Sequence, residues 1–129
     1  MARILIVDDD PVCTQLLGAF LTRDGHDVRC AVSGREAVEV GSGFQADLLV
    51  ADWLLDDRDG IAVVEELHAA NPQMRTIFIT ATMGAVLRGL AKGLPVLAVL
   101  EKPLDIEELV AKIREALTGL PAAQPNPAC

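Results

Sequence analysis

Apolar residues fall along this chain in short, nearly unbroken runs separated by longer stretches in which they recur every three or four positions. The runs are Ile4–Val7, Leu48–Ala51, Ile77–Ile79 and Val96–Leu100. A strand that is apolar at nearly every position is buried on both faces, as in a parallel sheet covered by helices. The stretches between them carry helical spacing: Val12, Leu16, Ala19 and Phe20; Ala37 and Val38; Ile61, Val64 and Leu67; Ile106, Leu109, Val110, Ile113 and Leu117. One further run, Val28–Val32, holds Arg29 in its middle, which predicts a strand at the sheet edge.

Start and stop signals divide the chain in the same way. Asp10 before Pro11 suits an N-cap followed by proline at the first helical position. Ser33 with Glu36, and Asp105 with Glu108, have capping-box spacing. Gly25, Gly41 with Gly43, Asn71-Pro72, Gly93 and Gly119 read as helix stops. The result is five β-α units, which implies an α/β fold with a parallel sheet, helices on both faces and right-handed crossovers. Residues 1–118 are expected to form one domain. Residues 119–129, rich in Pro and small residues, read as a flexible tail or linker stub.

Composition narrows the class of function. The chain has 129 residues, 51% of them hydrophobic and 23% charged, enough for a folded core without staples. Its net charge of −8 opposes binding to phosphate backbones or anionic lipid, so protein partners are expected, with neither nucleic acid nor membrane. Cys13, Cys30 and Cys129 lack metal-ligand spacing and read as free thiols of a reducing compartment. The first residues lack the progression of a cleaved signal, and no run reaches membrane-spanning length, so a soluble, cytoplasmic domain is expected.

In an open parallel sheet, ligands bind outside the carboxyl ends of the strands. Those ends are polar here: Asp8-Asp9-Asp10, Asp52, Thr80-Ala81 and Glu101-Lys102-Pro103. Gathered carboxylates repel one another unless a cation intervenes, and their oxygens suit a hard divalent ion such as magnesium, which needs only one or two of them. One carboxylate is then left to attack a phosphoryl group, with Lys102 and Thr80 balancing charge on the transferring oxygens. Taken singly, Asp10 is a helix cap, Thr80 a strand end and Lys102 a solvated head. Their joint placement at four strand ends favours chemistry. His26 and His68 have no partner at catalytic or metal spacing and read as structural or solvated.

Ile4-Leu5-Ile6-Val7-Asp8-Asp9-Asp10-Pro11, Leu49-Val50-Ala51-Asp52-Trp53 with Asp59-Gly60 seven residues after Asp52, Ile79-Thr80-Ala81 and Glu101-Lys102-Pro103 together resemble the response-regulator receiver family, over residues 3–118. The resemblance implies a flavodoxin-like sheet of order 2-1-3-4-5. It implies that Asp52 is the phosphoacceptor. Magnesium, or manganese, would be held by Asp9, Asp52, the Leu54 carbonyl and, through water, Asp8. Thr80 and Lys102 would engage the phosphoryl group, the backbone of Ala81 and Trp53 would bind it, and the peptide before Pro103 would be cis. The implied partners are a sensor histidine kinase or histidine phosphotransfer protein, and a downstream protein or second copy meeting the fourth helix, fifth strand and fifth helix.

Three departures accompany the likeness. Asp56 stands where the family commonly has Pro, and Asp56-Asp57 are expected to add charge near the metal. Val99 replaces the aromatic whose rotation reports phosphorylation. Gly93-Leu94-Pro95 makes the approach to the last strand unconventional. Competing readings are a haloacid-dehalogenase-type phosphatase with Asp8 as nucleophile, a degenerate receiver acting only as an interaction module, and a flavodoxin-like nucleotide binder. The first would leave Asp52 and Asp59-Gly60 unexplained.

Overall fold

The computed structural model describes residues 2–81, 84–103 and 105–118. Its elements are β1 (Arg3–Val7), α1 (Pro11–Arg23), β2 (Asp27–Ala31), α2 (Gly34–Phe44), β3 (Leu48–Asp52), α3 (Gly60–Ala70), β4 (Arg75–Thr80), α4 (Gly84–Leu90), β5 (Val96–Glu101) and α5 (Ile106–Thr118). The strands form one parallel sheet of order β2-β1-β3-β4-β5. The tail 119–129, with Gly119 and Cys129, lies outside the described residues. No helix among the described residues is long and apolar enough to cross a membrane.

The unbroken apolar runs split by alternation between two cores. Leu5, Val7, Leu49, Ala51 and Phe78 pack under α2, α3 and α4 with Ala37, Val63, Leu67 and Leu87. Ile4, Ile6, Leu48, Val50, Ile77 and Ile79 pack under α1 and α5 with Leu17, Leu21, Leu109 and Ile113. All of these are essentially removed from water, so the central strands are held from both faces. β2, with Arg29 and Cys30 exposed, is the edge strand that its mid-run charge predicts. It ends at Ala31, and Val32 lies outside it, 44% exposed.

Helix starts follow the predicted caps. Asp10 accepts from the Val12 amide and Asp105 from those of Glu107 and Glu108. Ser33 accepts from Glu36 N, whereas Glu36 reaches back to Val32 N at 2.7 Å rather than to Ser33. Two expectations fail. The α1 residues Val12, Leu16 and Phe20 face solvent, at 69%, 60% and 40% exposure, because the helix rests on Leu17 and Leu21, with small Thr14 and Gly18 letting it approach the sheet. Gly41 and Gly43 do not stop α2, which runs to Phe44 and ends at Gln45 with φ 58°. Gly41 instead admits α3: a Cβ there would lie 2.6 Å from Leu67.

Candidate functional site

Parallel pairing brings the ends of β1, β3, β4 and β5 to one rim. Val7 pairs with Ala51 and Asp52 with Ile79, so Asp8 lies beyond the end of β1 alongside Asp52. Thr80 pairs with Glu101, and its carbonyl accepts from Lys102 N at 2.8 Å. The Asp8 amide donates to Ala31 O, and its Oδ1 accepts from Asp10 N at 3.0 Å, which turns the chain toward α1. Asp10 itself is spent as a cap. The Lys102-Pro103 peptide is cis.

Asp8, Asp9 and Asp52 each offer a carboxylate oxygen within 4.8 Å of the others. Lys102 Nζ lies 2.9 Å from Asp8 Oδ2 and donates to Asp52 Oδ2 at 3.1 Å. Asp8 and Asp52 are buried, Asp9 half-buried. Burial pushes the Asp52 carboxyl above its ordinary range despite the Lys102 hydrogen bond that pulls it down. Asp9 is likewise raised, by burial and then by the negative charge of Asp56. Burial alone would lower the Lys102 ammonium, but Asp8 and Asp52 outweigh it and hold the proton firmly. Three acids against one amine leave negative charge that a hard cation would neutralise, and the all-oxygen donor set fits magnesium.

Asp52, Asp8, Asp9 and Lys102 are thus brought together. Thr80 is buried at the end of β4, one residue past the partner of Asp52, and Ala81 follows it on the surface. The Trp53 amide, expected to face a phosphoryl group, is engaged elsewhere: it donates to Ile79 O at 3.1 Å, because Trp53 continues the pairing of β3 with β4. The amide that faces the carboxylate belongs to Leu54, 3.3 Å from Asp52 Oδ1. Asp57, expected near the metal, turns away and accepts from Gly34 N and Arg35 N at the start of α2. Helix-start amides are strong donors, and they capture it.

One neighbour escaped the sequence reading. The Cys13 thiol sits beside Asp8, and burial together with that carboxylate pushes it up to about 11. Its only signal was its place in the first turn of a helix that starts at the acidic strand end. Away from the rim, in the middle of β5, buried Val99 belongs to the core under α4. Beside it a cavity of about 260 Å³ opens between α4 and β5, lined by Arg88, Ala91, Lys92, Leu94, Leu97 and Val99.

Comparison with known proteins adds independent findings. The family model described as the response regulator receiver domain matches residues 4–114. The transcriptional regulatory protein GlrR of Escherichia coli K12 is 35% identical over 116 residues, which is 90% of this chain and 26% of that protein. TrcR of Mycobacterium tuberculosis, also a transcriptional regulatory protein, is 35% identical over 117 residues, 89% of this chain and 45% of its own. The chain therefore spans a quarter to a half of the length of these curated relatives. Among solved structures, the non-phosphorylated HemR receiver domain of Leptospira biflexa superposes with TM-score 0.85 at 26% identity, covering 98% of this chain and all of that one (100%). A CheY-like receiver domain from Methanospirillum hungatei does so at 0.83 and 27%, covering 89% and 92%.

Proposed function

This chain belongs to the response regulator receiver domain family, and from that premise we propose that Asp52 is its phosphoacceptor, charged by a histidine kinase or histidine phosphotransfer protein in the cytoplasm. The observation that carries this is the single Lys102 ammonium spanning Asp52 and Asp8 with Asp9 beside them. An Asp52 oxygen forms a bond to phosphorus while the bond from phosphorus to the donor nitrogen or oxygen breaks, and the electron pair leaves with the donor. Lys102 can exchange its Asp52 contact for a phosphoryl oxygen, and the Leu54 amide, rather than that of Trp53, is placed to donate to another. Thr80 and the Ala81 backbone complete the pocket from β4.

Asp9 and Asp52, the Leu54 carbonyl and Asp8 through water would hold magnesium, which supplies charge neutralisation on the transferring oxygens. The exposed apolar stripe Val12, Leu16 and Phe20 starts beside this site and suits the approach of a donor protein. A phosphatase using Asp8 is disfavoured, because that carboxylate is only 1% exposed and tied to Lys102 and Asp10 N. A purely structural module would not require the full set of Asp9, Asp52, Thr80 and Lys102.

Output is proposed to pass through α4, β5 and α5. With Val99 in place of a ring, the signal travels by backbone motion after Thr80 and repacking around the cavity at Val99. A full shift needs about 5.5 kcal/mol of preference for one state, which a protein partner or second copy meeting Val86, Leu90 and Leu97 would help supply. Acetyl phosphate with magnesium should add one phosphoryl group that maps to Asp52. Persistence of the label in Asp52→Ala with its loss in Asp8→Ala would overturn the assignment.

A further inference from the structure

The β3-to-α3 loop is closed at its base by the Leu54–Asp59 bridge and by Gly60 N donating to Trp53 O at 2.6 Å. No backbone-to-backbone hydrogen bond among the described residues holds its tip, Leu55–Arg58. The tip is fastened by side chains to the first turn of α2. Gly34 N donates to Asp57 Oδ1 at 2.8 Å and Arg35 N to Asp57 Oδ2 at 2.9 Å, so both carboxylate oxygens are used at once. Ser33 takes the next amide, that of Glu36. The Arg58 stem lies on Gly34 so closely that a Cβ there would be 2.6 Å from its Cδ, and the guanidinium reaches Glu66 at 3.3 Å.

The same loop carries the Leu54 amide to 3.3 Å from Asp52 Oδ1 and, immediately before Asp57, the Asp56 carboxylate, whose charge acts on Asp9. We propose that Asp57 is a positioning residue for the metal and phosphoryl site: by docking the loop tip on α2 it sets where Leu54 and Asp56 stand. The physical need is clear from the chain itself. Without a proline to restrict it, this loop must lose its conformational freedom by other means, and two charge-assisted bonds to a helix start do so.

This inference rests on Asp52 and Asp9 forming the magnesium site, and the test separates the two. Magnesium is titrated into the whole chain while the fluorescence of Trp53, the one tryptophan, is followed. Wild type, Asp57→Ala, Asp57→Asn and Asp47→Ala are compared. Asp47 is another loop carboxylate that accepts a backbone amide, from Arg3 at 2.9 Å, and reports general effects of losing such a cap. Asp57→Ala should weaken magnesium binding about three- to tenfold, somewhat less than loss of a group touching a metal ligand. Asp57→Asn loses the same charge but keeps one acceptor oxygen, and should fall between Asp57→Ala and wild type. Asp47→Ala should match wild type. Equal weakening in Asp57→Ala and Asp57→Asn would reduce the effect to charge and overturn the proposal, as would binding unchanged in both. A wild type that neither binds magnesium nor accepts phosphate would instead refute the underlying assignment.

Discussion

Gly60 lies against the backbone of Asp52: a methyl group at position 60 would land on the Asp52 carbonyl oxygen and 3.0 Å from Trp53 Cα. The contact is backbone on backbone, so no side chain can rotate away. Gly60→Ala should therefore cost about 1–3 kcal/mol in urea melts and slow phosphorylation by displacing the acceptor. A variant as stable as wild type would show that the loop relaxes freely.

Lys102 is the one cation among three carboxylates. Lys102→Met should destabilise the metal-free domain by roughly 1–3 kcal/mol near neutral pH, since the buried Asp8 and Asp52 would lose their counter-charge. The folded pKa values of Asp9 and Asp52 are raised, so these groups bind protons more readily folded than unfolded. Their contribution to stability is present in acid and lost as pH rises through the folded values. The penalty should accordingly shrink as pH falls toward the carboxylate range, and saturating magnesium should shrink it too. Melting temperatures across pH, with and without magnesium, check both signs.

Leu54 stands two positions after Asp52 and is 55% exposed. An apolar side chain there cannot orient a hydrolytic water, whereas Asn at the same position can hydrogen-bond one. Leu54→Asn should change the decay rate of the acyl phosphate by about tenfold or less, read from loss of label after the donor is removed. Thr82, the other position expected to flank that water, lies outside the described residues. Indistinguishable decay curves would remove Leu54 from the account.

His26 accepts a hydrogen bond from the Ala2 amide through Nδ1 at 3.2 Å, joining the start of β1 to the turn before β2. Burial lowers its pKa below the usual 6.5. A depressed folded pKa means this contribution is complete above 6.5 and is lost as pH falls through the folded value, where protonation removes the acceptor. Stability of the wild type should drop across that mildly acidic window. His26→Asn should flatten the drop, and an unchanged slope would assign it to other groups.

The two-sided burial of β1, β3 and β4 and the edge position of β2 were legible because burial leaves a local signature, an unbroken apolar run or a charge within one. β5 broke the rule, since its run Val96–Leu100 is equally apolar yet lies at the other sheet edge with Leu97 47% exposed. Asp8, Asp9, Asp52, Thr80 and Lys102 were legible because parallel crossovers carry every strand end to the same rim. The direction of individual groups was not. Val12, Leu16 and Phe20 have a core stripe's spacing, yet α1 lies on the sheet through Thr14, Leu17, Gly18 and Leu21. Spacing identifies a face, and only the neighbouring element decides which face is covered. Gly41 looked like a stop until α3 packed against it. The Trp53 amide was committed to Ile79 by strand register, and Asp57 was drawn to α2 by two amides distant in sequence. The sequence alone determined which residues share the rim, because β-α alternation makes the sheet parallel and a parallel sheet gathers the carboxyl ends of its strands on one side, while the strand order came from the family resemblance. Tertiary packing alone decided which donor meets which acceptor there, because a hydrogen bond depends on distances of a few ångströms between segments that no local pattern relates.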